Sequence, residues 1–172
     1  MSRRADSLAP PPTILVVAIG NPDRGDDGVG ALVATQLAGR LPPGVALVAR
    51  SGDLLALVED WRGCDAVVCI DAAAPIEAPG RIHRIDAGAG ELPRGASPTS
   101  THGFGLAEAL ALADMLRSRP PTVIVYAIEG AGFAGGAAMT PAVAVAAAEV
   151  ADRVVAEVGR LRQPQAKAMS DA

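Results

Sequence analysis

The chain has 172 residues, half of them hydrophobic but only 2% aromatic, and its 15 basic and 19 acidic residues give a net charge of −4. This length suits one domain whose core is built from small aliphatic side chains, with no need of stabilising disulfides. The acidic balance argues against nucleic acid and against an anionic membrane as main partners, since both require a basic surface.

The chain ends and the two cysteines favour a soluble cytoplasmic protein. The first twelve residues hold two arginines but no apolar run of the kind a signal peptide needs. Cys64 and Cys69 are too few for a disulfide scaffold or a zinc ribbon, and Cys69 lies in an apolar run typical of a buried thiol. We expect a single domain over residues 13–162 between loose tails at 1–12 and 163–172.

The first elements in the chain are a strand and a helix. Residues 13–19 form a β-branched run typical of a strand buried on both faces, and a turn follows at 20–25. Apolar residues then recur with helical spacing over 29–41. Because acidic residues precede this helix, either Asp26 or Asp27 is expected to cap it.

Three strands and a short helix follow. A second strand is expected over 45–49, and Asp53 is placed to begin the helix. The third strand, 66–70, is apolar throughout and ends at Asp71. Residues 80–86 alternate between polar and apolar, which favours a half-exposed strand or a hairpin arm.

The second half of the chain begins with a long loop rich in Gly, Pro, Ser and Thr at residues 88–101. An amphipathic helix over 106–116 and a buried strand over 122–128 come next. After a Gly-rich loop, a Thr-Pro pair predicts the start of a last helix at 141–161.

Alternating helices and apolar strands predict an α/β fold, a three-layer α/β/α sandwich with a mostly parallel, twisted sheet of the phosphorylase/hydrolase-like kind. In such sheets ligands bind beyond the carboxyl ends of the strands. The segments at these ends are residues 20–27, 50–53, 71–74 and 130–139, together with the loop before the third long helix.

Chemically useful side chains fall in these segments. Asp71 ends a buried strand, and if one residue of the Asp26 and Asp27 pair acts as a cap, the other is free to face the crevice. His102 lies between the long loop and a helix start, whereas His83, between two arginines, is expected to be exposed. Two carboxylates and one histidine match the oxygen and nitrogen ligand set of a transition metal and leave positions open for substrate or water.

At these residues the sequence resembles the hydrogenase maturation endopeptidases. The letters GNPDRGDDGVG at residues 20–30 resemble the family's G-N-x-x-x-x-D-[DE]-x-x-G turn, and the likeness extends over residues 13–160. The other matching segments are the strand ending in D-A at 71–72, P-G-x-I at 79–82, the histidine segment at 101–106 and M-T-P at 139–141.

The resemblance implies an endopeptidase that trims the C-terminal extension from the large-subunit precursor of a nickel–iron hydrogenase. It implies metal contacts at Asp27, Asp71 and His102, and a catalytic role for Asp27 and Asp71 through the metal or its bound water. Some members have Glu where this chain has Asp27. Nickel would be supplied by the precursor, and no organic cofactor is implied. Members are sometimes classed with aspartic peptidases, although no D-T-G or D-S-G loop occurs here.

The substrate groove is expected at the turns. Gly20 and Asn21 could bind the peptide backbone or polarise its carbonyl, and Gly52 and the loop from Gly130 onward could shape the groove. The sequence does not determine the oligomeric state, and a monomer is the favoured expectation.

Two other functional classes remain open. A peptidyl-tRNA hydrolase also begins with a strand and a G-N-P turn, although an acidic chain is poorly suited to tRNA. A non-enzymatic nucleotide-binding module would use Gly130, Gly132 and Gly135, which fit the spacing of the dinucleotide fingerprint. The helix that this loop should open is predicted to start several residues too late.

Overall fold

The computed structural model describes residues 10–87 and 106–163, in which a five-stranded sheet lies between two layers of helices. The strands are β1 (Ile14–Ile19), β2 (Ala46–Arg50), β3 (Ala66–Ala73), β4 (Ile82–Asp86) and β5 (Thr122–Glu129). The helices are α1 (Val29–Leu37), α2 (Leu54–Asp60), α3 (Leu106–Met115) and α4 (Pro141–Leu161), and a 3₁₀ turn, Gly25–Gly28, precedes α1.

The sheet order is β2-β1-β3-β5-β4, with four parallel strands and an antiparallel β4 at one edge. The central strands β1, β3 and β5 are buried almost throughout, as their unbroken apolar sequences predict. The edge strands β2 and β4 are only partly buried. The predicted three-layer α/β/α fold with a mostly parallel sheet is confirmed.

Alternate side chains of the central strands supply two separate cores. Val68 and Ile124 belong to the core that packs on α1 and α4, while Cys69 and Val125 belong to the core on α2 and α3. Burial raises the pKa of the Cys69 thiol, which fits the predicted inert cysteine.

The start of α1 differs from its prediction. Neither Asp26 nor Asp27 caps this helix, because the N-cap is Gly28 and no side chain bonds the free N–H groups there. Both aspartates are buried in the 3₁₀ turn, where Asp26 accepts N–H groups from the segment after β5 and Asp27 accepts the N–H of Asn21, six residues before it. The expectation of an acidic cap was therefore wrong, because these contacts occupy the two carboxylates in place of the first N–H groups of α1.

The ends of the helices otherwise follow the sequence, with one exception. α2 begins after Asp53, whose Oδ1 accepts the N–H groups of Leu55 and Ala56. α1 ends at Leu37, earlier than predicted, because the chain turns at Gly39 with a φ of 74°.

The domain limits stay a prediction, because residues 1–9 and 164–172 of the two expected tails lie outside the described residues. Within the part of the chain that is described, no helix is both long enough and apolar enough to cross a membrane.

Candidate active site

Four parallel strands, β2, β1, β3 and β5, end at the same side of the sheet, which we call the carboxyl edge. Backbone hydrogen bonds join the segments that follow these strands. The Gly20 N–H donates to the Arg50 carbonyl at 2.9 Å, and the Gly130 N–H donates to the Ala73 carbonyl at 2.9 Å. All the predicted site residues within the described ranges lie on or next to these segments.

Asp71 lies near the end of β3, beside Ala127 of β5, and is only 2% exposed. Its Oδ1 accepts the N–H of Ala72 at 2.8 Å. Burial raises the pKa of Asp71 to about 8, the negative charge of Asp27 acts in the same direction, and the Ala72 N–H opposes both. Asp71 therefore holds a proton through most of the acidic and neutral range, and a cation at this position would favour its ionised form.

Asp27 lies in the 3₁₀ turn that contacts β3, and its side chain is buried. Its Oδ2 accepts the N–H of Asn21 at 2.9 Å. The turn is tight, because a Cβ on Gly20, whose φ is 134°, would lie 2.0 Å from the Asp27 carbonyl oxygen. The structure thus brings two of the three predicted metal ligands, Asp27 and Asp71, close enough for their charges to interact.

Asp26 has a different role from its neighbour. Its Oδ2 accepts the N–H groups of Ala131 and Gly132 at 2.7 and 2.9 Å. Thr140, the N-cap of α4, donates its N–H to Oδ1 at 2.6 Å and its hydroxyl to Oδ2 at 2.7 Å. Burial alone would raise the pKa of Asp26, but these hydrogen bonds outweigh it and lower the pKa. Asp26 therefore fixes the β5–α4 loop as an ionised carboxylate.

The predicted substrate-binding residues all lie at the carboxyl edge. Asn21 uses its Oδ1 to accept the N–H of Asp23 at 2.9 Å, and Gly52 follows β2. Gly130 permits close packing, since a Cβ there would lie 2.5 Å from the Phe133 ring. Their contact with a substrate stays a prediction.

The predicted third ligand, His102, lies outside the described residues, as does the predicted loop at 88–101. Among the residues that are described, no group of three His, Cys, Asp or Glu side chains could hold a metal ion. The proposed set of Asp27, Asp71 and His102 accordingly stays a prediction, although two of its members are placed together.

The positions of two residues at this edge were not predicted from the sequence. Glu129 ends β5 and is fully buried, and His83 of β4 lies with its Nε2 2.5 Å from Glu129 Oε1. The expectation that His83 is exposed was wrong, because its side chain is about two-thirds buried against this carboxylate. A glutamate that ends an otherwise apolar central strand was the available signal.

Comparisons with known proteins agree with this architecture. A model of the hydrogenase maturation protease family matches residues 38–157. The hydrogenase expression/formation protein HupM of Azotobacter chroococcum is 31% identical over 159 residues, which span 84% of this chain and 74% of the relative. HupD of Thiocapsa roseopersicina is 34% identical over 122 residues, or 69% of this chain, and the match covers only 54% of that relative.

Solved structures show the same fold. The hydrogenase maturating endopeptidase HybD from Escherichia coli superposes with a TM-score of 0.72 at 23% identity, covering 86% of this chain and 92% of the other. The solution structure of an endopeptidase from the same organism gives a TM-score of 0.75 at 22% identity, with the same coverage.

Proposed function

Because the chain belongs to the hydrogenase maturation protease family, and is thus a hydrolase of peptide bonds, we propose that it removes the C-terminal extension of a hydrogenase large-subunit precursor. The observation that carries this proposal is the pair of buried carboxylates, Asp27 and Asp71, at the carboxyl edge. Both alternatives from the sequence are disfavoured. The family is not one of peptidyl-tRNA hydrolases, and α4 begins at Pro141, too late for a dinucleotide-binding loop.

The proposed substrate carries nickel into the site. Asp27 and Asp71 fit a cation, because two buried carboxylates repel each other and the pKa of Asp71 is raised to about 8. A divalent ion between them would relieve that repulsion, and His102 would supply the nitrogen ligand. The proposal therefore includes the requirement that the precursor already holds nickel.

The chain's own groups then have defined tasks. Asp71 would release its proton to solvent as the cation arrives. Asp27 and Asp71 would then orient the water that attacks the scissile carbonyl, accept the proton that it loses and pass that proton to the leaving amine. Nickel, when the precursor brings it, would supply Lewis-acid polarisation at this position. Gly20 and Asn21 border the same turn and would position the peptide backbone beside the carboxylates.

A second mechanism for the same activity follows from the same pair. Aspartic peptidases use two carboxylates that share a proton, and the pKa of Asp71 is raised by burial and, to a smaller extent, by the charge of Asp27. The two mechanisms differ in their need for metal, since a carboxylate pair alone would cleave a nickel-free precursor.

The deciding experiment incubates the purified protein with nickel-loaded and with nickel-free large-subunit precursor and measures loss of the C-terminal extension by mass spectrometry. Asp71→Ala and His102→Ala should abolish cleavage of the loaded precursor. Asp152→Asn is the control, because Asp152 is exposed and forms its ion pair with Arg40 on the surface. Processing by Asp71→Ala at the wild-type rate would refute the proposal, and equal cleavage of both precursors would favour the aspartic mechanism.

We place this activity in the cytoplasm and propose that the protein works as a monomer. Neither nucleic acid nor a membrane is proposed as a partner.

A further inference from the structure

Glu129 is a fully buried carboxylate that the proposed chemistry does not use. It is the last residue of β5, two positions beyond Ala127, which lies beside Asp71. Alternate residues of a strand share a face, so Glu129 projects to the same side of the sheet as Asp71. A buried charge at this position needs a reason, because an apolar side chain would cost less to bury.

The side chain of Glu129 holds the segment that follows β3. Its Oε2 accepts the N–H groups of three consecutive residues, Ile76, Glu77 and Ala78, at 3.0, 2.8 and 3.0 Å. Its backbone holds the end of the same segment, because the Glu129 carbonyl accepts the Gly80 N–H at 2.7 Å. Residues 74–80, which we call the β3–β4 loop, are therefore held along their length by one residue.

The other carboxylate oxygen is held from β4. His83 Nε2 lies 2.5 Å from Glu129 Oε1. Burial alone would raise the pKa of Glu129, but the hydrogen bonds from His83 and from the loop N–H groups outweigh it and lower the pKa to about 2. Glu129 is therefore ionised at every working pH, and its two oxygens are directed by two different elements.

The β3–β4 loop lies next to the proposed active site. It leaves β3 two residues after Asp71 and crosses the end of β5 to reach β4, so it runs along the carboxyl edge. Ile76, at the start of the segment that Glu129 binds, is 63% exposed. An apolar side chain on a firmly held backbone can contact a peptide without the entropy cost of ordering the loop.

We propose that Glu129 is a positioning residue that fixes the β3–β4 loop as a wall of the substrate crevice, with Ile76 as the side chain that contacts an apolar residue of the precursor peptide. The inference rests on the proposed function and adds a specificity element to the same site. The hydrogen bonds of Glu129 with the loop and the exposure of Ile76 carry it, and the carboxylates Asp27 and Asp71 are not involved.

A matched pair of substitutions separates geometry from charge. Glu129→Gln keeps one side-chain oxygen that can accept the three loop N–H groups. Its amide NH2 would face His83, whose Nε2 can accept a hydrogen bond when the ring is neutral. Glu129→Ala removes the acceptor of all three N–H groups, whose hydrogen bonds are part-buried. Glu129→Gln should therefore preserve the loop, and Glu129→Ala should release it.

The matched control is Glu157, another buried carboxylate with several charged or polar partners. It accepts from Tyr126 at 2.7 Å, from Arg84 and from Arg160, near the far end of α4. Glu157→Gln disturbs a comparable network at a distance from the β3–β4 loop. A general loss of stability would affect this variant and Glu129→Ala alike.

Two measurements test the proposal. In amide hydrogen exchange, Glu129→Ala should lose protection at residues 76–78, while Glu129→Gln and Glu157→Gln keep it. In the precursor assay, Glu129→Ala should raise KM about tenfold and change kcat less than about twofold, as expected for a lost binding surface. Ile76→Glu, a surface change compatible with folding, should raise KM similarly.

Each outcome either supports or overturns the proposed roles of Glu129 and Ile76. Wild-type KM in Glu129→Ala or Ile76→Glu overturns the proposal, as does an equal rise of KM in Glu157→Gln. If Glu129→Ala does not fold, Ile76→Glu alone decides it. If the wild-type protein cleaves no precursor, the proposed function fails, and unchanged exchange at residues 76–78 in Glu129→Ala would still refute the positioning role.

Discussion

Replacing Asp71 by asparagine should change how stability depends on pH. Asp71 has a pKa of about 8 in the folded protein, against about 3.9 in an unfolded chain. Between these values the folded state holds a proton that the unfolded state has released, so the free energy of unfolding falls as pH rises, by about 1.4 kcal/mol per pH unit. From pH 5 to pH 8 this amounts to about 4 kcal/mol. Asparagine is neutral throughout and carries no such slope.

The measurement is urea unfolding of wild type and Asp71→Asn at pH 5, 6, 7 and 8, with a chelator present to keep metal from the site. The difference in unfolding free energy between the two proteins should shift in favour of the variant by about 4 kcal/mol across this range. Loss of the Ala72 hydrogen bond or a packing change adds an offset that is the same at every pH. Asp27→Asn should end this fall at a lower pH and so reduce the total change between pH 5 and pH 8, because the Asp27 charge contributes to the raised pKa of Asp71. Parallel curves for wild type and Asp71→Asn would refute the reasoning.

Three further expectations follow from the described contacts. Asp26→Asn should cost about 2 kcal/mol in urea unfolding, because its amide NH2 would face the Thr140 N–H and leave a buried donor unpaired; a cost below about 0.5 kcal/mol would contradict the clamp. Gly30→Ala should cost about 2 kcal/mol, since its Cβ would lie 2.3 Å from the Ile19 carbonyl oxygen, and a neutral result would argue against this close approach of α1 to β1. Below pH 4.5 the protein should lose stability as pH falls towards 2. The folded pKa of Glu129 is about 2, and this carboxylate stabilises the folded state only while it is ionised. Acid unfolding of wild type beside Glu129→Gln tests this.

The layers of the fold were predictable because each central strand is a continuous apolar run. β3 has no polar residue before Asp71, and β5 has only Thr122 and Tyr126 before Glu129. Only a strand covered on both faces tolerates so apolar a sequence. The partial exposure of β4 was signalled by its alternation of polar and apolar residues. The start of α4 was signalled by Thr140 and Pro141.

The roles of individual carboxylates were harder to predict, because they depend on partners distant in sequence. Asp26 accepts hydrogen bonds from residues more than 100 positions away, and Glu129 from residues about 50 positions away. Local rules therefore suggested a helix cap for Asp26 or Asp27 and exposure for His83. For Asp26 and His83 the expectation failed because a distant contact took the place of a local one, whereas Asp27 bonds Asn21 in the preceding turn.

At the carboxyl edge, the buried carboxylates that hold loops in place accept more N–H groups than the carboxylate proposed to take part in the reaction. Asp26 and Glu129 each receive three backbone N–H groups and a further side-chain hydrogen bond, which stabilise the charge and lower the pKa. Asp71 receives only the N–H of Ala72 from the described residues and has the charge of Asp27 nearby, so its pKa rises. The first two carboxylates need no further partner and hold the loops on either side. Since Asp71 has this one donor among the described residues, a cation delivered with the substrate would provide the stabilisation that its charge still needs.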